Sequence, residues 1–232
     1  MTTPRDRLIV ALDVQDATTA RAMVDRLAGH VGMFKVGTQI FTAAGPDFVR
    51  EVIARGEKVF LDLKFHDIPN TVAGAVSSAG QLGVSLVDVH ALGGKDMMEA
   101  AVGALPAMGI RLIAITILTS HEEETLGTIG VSGSVADSVR RLAVLSREAG
   151  TDGVVASPQE VALVRESCGP DFLIVTPGIR PVGSSRGDQS RTATPAAAVA
   201  AGADYIVVGR PILEAADPAA AADAIVRELT GR

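Results

Sequence analysis

The chain has 232 residues, of which 47% are hydrophobic and 21% charged, a composition typical of a globular domain. Its net charge of −6 and its 3% of aromatic residues argue against a nucleic-acid-binding surface. No segment reaches the roughly 20 apolar residues of a membrane span, and the N-terminus lacks the apolar core of a signal peptide. The single cysteine, Cys168, excludes a disulfide framework and a cysteine metal cluster, so we expect a cytoplasmic protein.

Short apolar runs recur along the whole chain and predict eight β-strands. Each run is rich in Val, Ile and Leu and has the length of a strand. The runs are continuous and do not alternate with polar residues, which favours strands that are buried on both faces of a parallel sheet. They span residues 8–12, 33–37, 59–63, 86–91, 111–118, 152–157, 172–178 and 205–209.

Helix-like segments rich in Ala, Leu, Arg and Glu lie between these runs. The clearest cover residues 16–30, 71–83, 134–150 and 193–203, and a glycine stands at or near the end of each. Eight strands that alternate with helices predict an α/β fold, a (β/α)8 TIM barrel, as a single domain over residues 1–232. A doubly wound open sheet is the alternative.

Charged residues interrupt the apolar pattern where strands end, most densely in the segment "FLDLKFHDIPN" at residues 60–70. Asp62 and Lys64 are two residues apart in a strand and should therefore point to the same face. In a TIM barrel the strand ends form the active site, where Asp13, Lys35 and Asp67 should join them. Such a cluster is typical of a site that handles charge. A structural ion pair that closes the barrel is the alternative.

Two further segments indicate a phosphate site. "VVGRP" at residues 207–211 places Gly209 and Arg210 after the last strand, where these barrels commonly bind phosphate. The alternative is a plain turn in which Pro211 begins a helix. The polar segment at residues 176–191 is long for a βα connection and could form a lid in which Arg180 and Gln189 reach a phosphate. A surface loop is the alternative.

The motif "LDLKFHDIPNTV" resembles the signature of the orotidine 5′-phosphate decarboxylase family, in which Asp-x-Lys-x-x-Asp is followed by Ile-Pro. The resemblance covers nearly the whole chain and is highest to short bacterial members. Matching segments occur in the same order, among them "ALD", "KVG", "FTAAGPDFV", "VHALGG", "LTS", "DGVVAS", "VTPGIRP", "GDQ" and "VVGRPI".

The resemblance implies conversion of orotidine 5′-phosphate to UMP and CO2 in pyrimidine biosynthesis, without a cofactor or a metal. It also implies a homodimer in which Asp67 and Thr71 reach the partner's site. Lys64 would protonate the pyrimidine, with Asp62, Asp67 and Lys35 completing the catalytic charge network. The implied substrate-binding residues are Asp13, Lys35, Asp62, Asp67, Ile68, Thr71, Thr119, Ser120, Pro177, Arg180, Gln189, Gly209 and Arg210.

Two alternative functions remain open at the level of sequence. Hexulose-phosphate synthases and ketogulonate-phosphate decarboxylases are related barrels that share Asp-x-Lys-x-x-Asp and use Mg²⁺. Ile68, Pro69 and the 176–191 segment favour the pyrimidine enzyme over them. A barrel that binds a phosphorylated ligand without catalysis is a different class, and the intact Lys64 argues against it.

Overall fold

Eight parallel strands close into a barrel in the computed structural model, which describes residues 3–106, 109–181 and 191–230. The strands follow one another in chain order around the barrel, and β1 pairs with β8, which rules out the open sheet. The prediction of a TIM barrel is therefore confirmed. The strands are β1 Leu8–Ala11, β2 Met33–Gly37, β3 Val59–Phe65, β4 Leu86–His90, β5 Arg111–Ile115, β6 Gly153–Val155, β7 Leu173–Thr176 and β8 Tyr205–Val208.

Helices surround the barrel, and each of the four helices predicted from the sequence is present. Their ends differ from the predicted ones by one to three residues. None of the described helices is long and apolar enough to cross a membrane. The helices are α1 Ala17–Leu27, α2 Thr38–Ala54, α3 Pro69–Gln81, α4 Lys95–Gly103, α5 Glu123–Thr128, α6 Val135–Glu148, α7 Val161–Cys168, α8 Pro195–Ala200, α9 Arg210–Leu213 and α10 Pro218–Leu229.

Side-chain caps explain where several helices begin. Asp16 accepts a hydrogen bond from the Thr19 amide before α1, and Ser134 accepts one from the Asp137 amide before α6. Each cap satisfies a backbone donor that has no partner inside the helix. These local signals set the helix boundaries, and with them the lengths of the loops at the mouth of the barrel.

The observed strand limits differ from the predicted ones by one to three residues in every strand except β2, and the largest difference is in β5. The fifth strand ends at Ile115, although the apolar run continues to Leu118. Ile117 and Leu118 line a cavity at the barrel mouth, so their apolar character has a cause other than strand pairing. The third strand extends to Phe65, two residues beyond the predicted end.

Alternating residues of the strands fill the inside of the barrel, and their character changes from bottom to top. Apolar side chains form a small inner core, composed of Ile9, Ala11, Met33, Phe60, Leu86, Ile113, Val175 and Val207, all of them buried. Two residues further along β2 and β3, the same inward-facing positions are occupied by Lys35 and Asp62. The inner core thus seals the lower barrel, and the charged residues stand above it at the mouth.

Candidate active site

A cavity of about 430 Å³ opens at the carboxyl ends of the strands. Its volume lies within the range of small-molecule sites. Residues from all strands except β4, and from the loops that follow them, contribute to its walls. The lining residues are Ala11, Asp13, Lys35, Gln39, Phe60, Asp62, Lys64, Ile115, Ile117, Leu118, Thr119, Val155, Ala156, Ser157, Val175, Pro177, Gly178, Arg180, Val207, Gly209 and Arg210.

Four of these side chains form a continuous charge network across three neighbouring strands. Nζ of Lys35 lies 3.2 Å from Oδ1 of Asp13 and 3.0 Å from Oδ2 of Asp62. The ammonium group of Lys64 pairs with Oδ1 of Asp62. The sequence predicted that these four residues converge, and the network Asp13–Lys35–Asp62–Lys64 places positive and negative charges alternately along one wall of the cavity.

The network keeps both of its central groups charged despite their burial. Burial by itself would raise the pKa of Asp62, but the ammonium groups of Lys35 and Lys64 outweigh it and hold that pKa well below its usual range. Burial would likewise lower the pKa of Lys35, and Asp62 together with Asp13 raises it instead. The cavity wall therefore carries fixed charges at neutral pH.

Lys64 reaches the cavity through an irregular backbone. Its φ is +52°, and among the described residues it is the only one besides glycines with a positive φ. Pairing between β3 and β4 shifts register between Leu61 and Phe65. Strand alternation alone placed Asp62 and Lys64 on one face. They do share the cavity, but β3 is bulged between them and is not a regular strand.

The other end of the cavity is built from the connections after β7 and β8. Gly209 and Arg210 line it at the start of α9, and Pro177 and Arg180 line it on the β7 side. These are the positions at which the sequence predicted a phosphate site. Gln189 lies outside the described residues.

Both ends of the 176–191 segment are attached to the barrel. The Arg180 amide donates to the Ala193 carbonyl at 2.9 Å. Arg191, which is buried, pairs with Glu160 at 2.9 Å and donates to the Leu118 carbonyl at 3.0 Å. These contacts fix where the segment leaves and rejoins the barrel, beside the predicted phosphate site.

Four residues predicted to bind substrate do not line this cavity. Asp67, Ile68, Thr71 and Ser120 are all exposed on the surface of the chain. Oδ1 of Asp67 accepts a hydrogen bond from the Ile68 amide at 2.6 Å, at the start of α3. Within one chain, the cavity therefore holds Thr119 but not its neighbour Ser120, and Lys64 but not Asp67.

Several residues of the site were not assigned from the sequence. Gln39 and Ser157 line the cavity, and each lies two residues after the end of a strand, β2 and β6 respectively, which is the signal that could have identified them. Gly37 has a steric role, because a Cβ there would lie 3.0 Å from Nζ of Lys35. Asp88, fully buried in β4, accepts a hydrogen bond from the Lys64 amide at 2.8 Å.

A closed parallel barrel with a charged cavity at its carboxyl end, and with a Gly-Arg pair after its last strand, has the features of a TIM-barrel enzyme that acts on a phosphorylated small molecule. The comparison with known proteins is more specific. The chain belongs to the Orotidine 5′-phosphate decarboxylase / HUMPS family, whose match extends over residues 6–225. The family resemblance found in the sequence motifs is thus confirmed.

Relatives with high similarity cover almost the whole chain. The orotidine 5′-phosphate decarboxylase of Moorella thermoacetica is 54% identical over 97% of this chain and 92% of its own length. That of Geobacter sulfurreducens is 53% identical, over 97% and 96%. The crystal structure of the Lactobacillus acidophilus enzyme of the same name superimposes with a TM-score of 0.86 at 40% identity, covering 96% of this chain and 98% of that one.

Proposed function

We propose that this chain converts orotidine 5′-phosphate to UMP and CO2, the decarboxylation that completes pyrimidine nucleotide synthesis. The observation that carries the proposal is the charge network, which brings the Lys64 ammonium into the cavity beside a buried, ionised Asp62. The named relatives, more than half identical over nearly their full length, support the same activity. We place the reaction in the cytoplasm, since a chain with one cysteine forms no intramolecular disulfide.

Lys64 is the proton donor in this proposal. Loss of CO2 leaves an electron pair on a ring carbon of the pyrimidine, and a nearby cation stabilises that charge as it develops. An ammonium group can both stabilise the carbanion and deliver a proton to it. Arginine holds its proton too tightly for the second step, so we expect that it cannot replace Lys64.

Asp62 has two roles in the proposed reaction. It holds the ammonium groups of Lys35 and Lys64 in place, and it lies where the substrate carboxylate would approach Lys64. Two like charges about 4 Å apart, at an effective dielectric constant near 20, repel each other by about 4 kcal/mol. This repulsion corresponds to about three powers of ten in rate, and the neighbouring lysines offset part of it. Stabilisation of the transition state is therefore the larger effect.

The remaining cavity residues would bind the rest of the substrate. Arg180, Gly209 and Arg210 line the end of the cavity where TIM barrels bind phosphate. We assign them, with Gln189 and Pro177, to the phosphate end. We assign the ribose hydroxyls to Asp13 and Lys35, and the pyrimidine amide to Thr119 and Ser120. Binding energy at the phosphate can then be used to position the reacting carbon at Lys64.

We further propose that two chains form a homodimer and share their active sites. Ile68 is 66% exposed, which is unusual for a large apolar side chain, and its neighbours Asp67 and Thr71 are exposed as well. All three lie at the start of α3, just beyond Lys64. A partner chain that covers this surface would receive Asp67 and Thr71 at its own cavity.

The activity is tested by following the loss of orotate absorbance with orotidine 5′-phosphate in excess EDTA. We expect turnover by the wild type, no detectable turnover by Lys64→Ala, and measurable UMP binding by both. Lys58→Ala, which removes an exposed lysine just before β3, is the matched control and should keep full activity. Turnover that requires added Mg²⁺ would favour the related Mg²⁺-dependent enzymes. Binding of UMP without turnover by the wild type would indicate a non-catalytic barrel.

Mixing two inactive variants tests the shared site. Lys64→Ala and Asp67→Ala each disable a homodimer, but a heterodimer of the two has one site with both residues intact. Random exchange of subunits should therefore restore about a quarter of the wild-type activity in a two-fold symmetric dimer. If the mixture remains inactive although subunits exchange, Asp67 does not act across the interface.

A further inference from the structure

Strand β3 contains two more residues than β4 at the place where Lys64 enters the cavity. Leu61 pairs with Val87 and Phe65 pairs with Val89. The three residues 62, 63 and 64 therefore lie opposite Asp88 alone. Extra residues in one strand form a bulge, which leaves backbone groups without ladder partners and redirects side chains.

The backbone at Lys64 is in the left-handed region, which residues with a Cβ rarely adopt. Such a conformation persists only when surrounding contacts enforce it, and it is found preferentially at functional sites. In this bulge, the contact that enforces the conformation of Lys64 is made by a side chain, that of Asp88. The Lys64 amide donates to Oδ1 of Asp88 at 2.8 Å, in place of the carbonyl that a regular strand would offer.

Asp88 lies at a buried position inside the barrel, where a carboxyl group is energetically costly. It is 0% exposed, and its inward-facing position continues the inner core from Leu86. Burial and the nearby charge of Asp62 both raise its pKa well above the usual range. An apolar residue would avoid this cost but would leave the Lys64 amide unpaired.

We propose that Asp88 is a positioning residue for Lys64: its buried carboxyl accepts the Lys64 amide and holds the backbone in the left-handed conformation that aims the ammonium group at Asp62 and the cavity. The proposal rests on the proposed function, in which Lys64 is the proton donor. Asp88 itself does not line the cavity, so it does not touch a ligand bound there. Its removal should therefore affect the chemical step more than ligand binding.

The test compares three substitutions of Asp88 by kcat and by the dissociation constant of UMP. Asp88→Asn keeps an oxygen acceptor of the same reach and should retain kcat within about threefold. Asp88→Leu and Asp88→Ala remove the acceptor, and a proton donor displaced by about 1 Å should lower kcat about 100-fold. UMP affinity should change much less than kcat in both variants.

A matched control is available at the other end of the barrel. Oδ2 of Asp152 accepts the Leu112 amide at 2.8 Å, the same kind of bond between a carboxyl and a strand amide. Asp152→Ala should leave kcat unchanged even if it lowers the melting temperature to a similar extent. This control separates a general loss of barrel stability from a specific effect on Lys64.

Amide hydrogen exchange in the wild type provides a readout that does not depend on whether the variants fold. The Lys64 amide should be protected in the wild type and in Asp88→Asn, and should exchange faster in the Ala and Leu variants. Fast exchange of this amide in the wild type would overturn the proposal. Full kcat in Asp88→Ala, or parallel losses of kcat and UMP affinity, would overturn it too. None of these three results would contradict the proposed function, which depends on wild-type turnover and on Lys64→Ala.

Discussion

Replacing Lys35 with methionine tests how strongly the charge network contributes to stability. The substitution keeps the length and the apolar part of the side chain and removes the cation that lies 3.0 Å from Oδ2 of Asp62. At that distance, an effective dielectric constant near 20 gives an attraction of about 5.5 kcal/mol. The cost of desolvating the buried ammonium group offsets part of this attraction. Because Lys64 still pairs with Asp62, we expect the free energy of unfolding to fall by about 3 kcal/mol. This value is the lower end of the range for breaking a buried ion pair.

The loss should depend on pH in a defined direction. The pKa of Asp62 is depressed in the folded protein, so the resulting stability is present above the unfolded pKa of about 3.9 and is lost as pH falls through the folded pKa. The pKa of Lys35 is raised, so its contribution is present below the unfolded pKa of about 10.4 and is lost as pH rises beyond it. The difference between wild type and Lys35→Met should thus be largest between these limits.

Urea unfolding of the ligand-free protein at pH 7 and at pH 3 measures the stability cost of Lys35→Met and its dependence on pH. Lys95→Met is the matched control, because Lys95 is about half exposed and lies 3.7 Å from Glu99 in an i,i+4 pair. It should change the free energy of unfolding by no more than about 0.5 kcal/mol. A cost below about 1 kcal/mol for Lys35→Met at pH 7, or an equal cost at pH 3, would refute the reasoning.

Three other substitutions have outcomes that follow directly from the structure. Arg210→Ala should lower kcat/KM by about 10- to 100-fold in the orotate assay, the equivalent of one charged hydrogen bond; an unchanged value removes Arg210 from the site. Asp88→Asn should gain stability over the wild type as pH rises above the unfolded pKa of about 3.9, by up to about 1.4 kcal/mol per pH unit, because the raised pKa of the buried carboxyl lowers wild-type stability over that rise. A difference that is constant with pH, in the same unfolding measurement, contradicts this. Gly153→Ala would place a Cβ 2.3 Å from the Leu173 carbonyl, so we expect a loss of about 3 kcal/mol and a melting temperature about 6–12 °C lower. Gly103→Ala, with open space around it, is the control that should not lower it.

Local patterns along the chain were sufficient to predict the fold and many of the residues that line the cavity. Apolar runs predicted all eight strands, because a strand buried on both faces must be apolar throughout. The residues that deviate from this pattern, such as Asp62 and Lys64, identified the barrel mouth, because charges are tolerated there and not in the core. Gly209 and Arg210 were found in the same way, as a polar signal directly after an apolar run.

Local patterns were ambiguous where one residue type serves two purposes. The apolar run from Arg111 to Leu118 reads as one strand, but the strand ends at Ile115 and the rest of the run lines the cavity. Hydrophobic side chains satisfy both environments equally well, so composition cannot separate them. The exposure of Ile68 could not be predicted either, because an apolar side chain gives no local sign that it lies on the surface.

The sequence by itself determined the strands, the helices and which charged residues stand at the mouth of the barrel. The tertiary structure decided how those charges are paired and held. Asp88 supports the Lys64 backbone from 24 positions away, and a Cβ at Gly37 would lie 3.4 Å from Oδ1 of Asp13, which follows a different strand. Such contacts depend on the register between neighbouring strands and on the bulge in β3. Register is a property of paired strands, so no single segment of the chain encodes it.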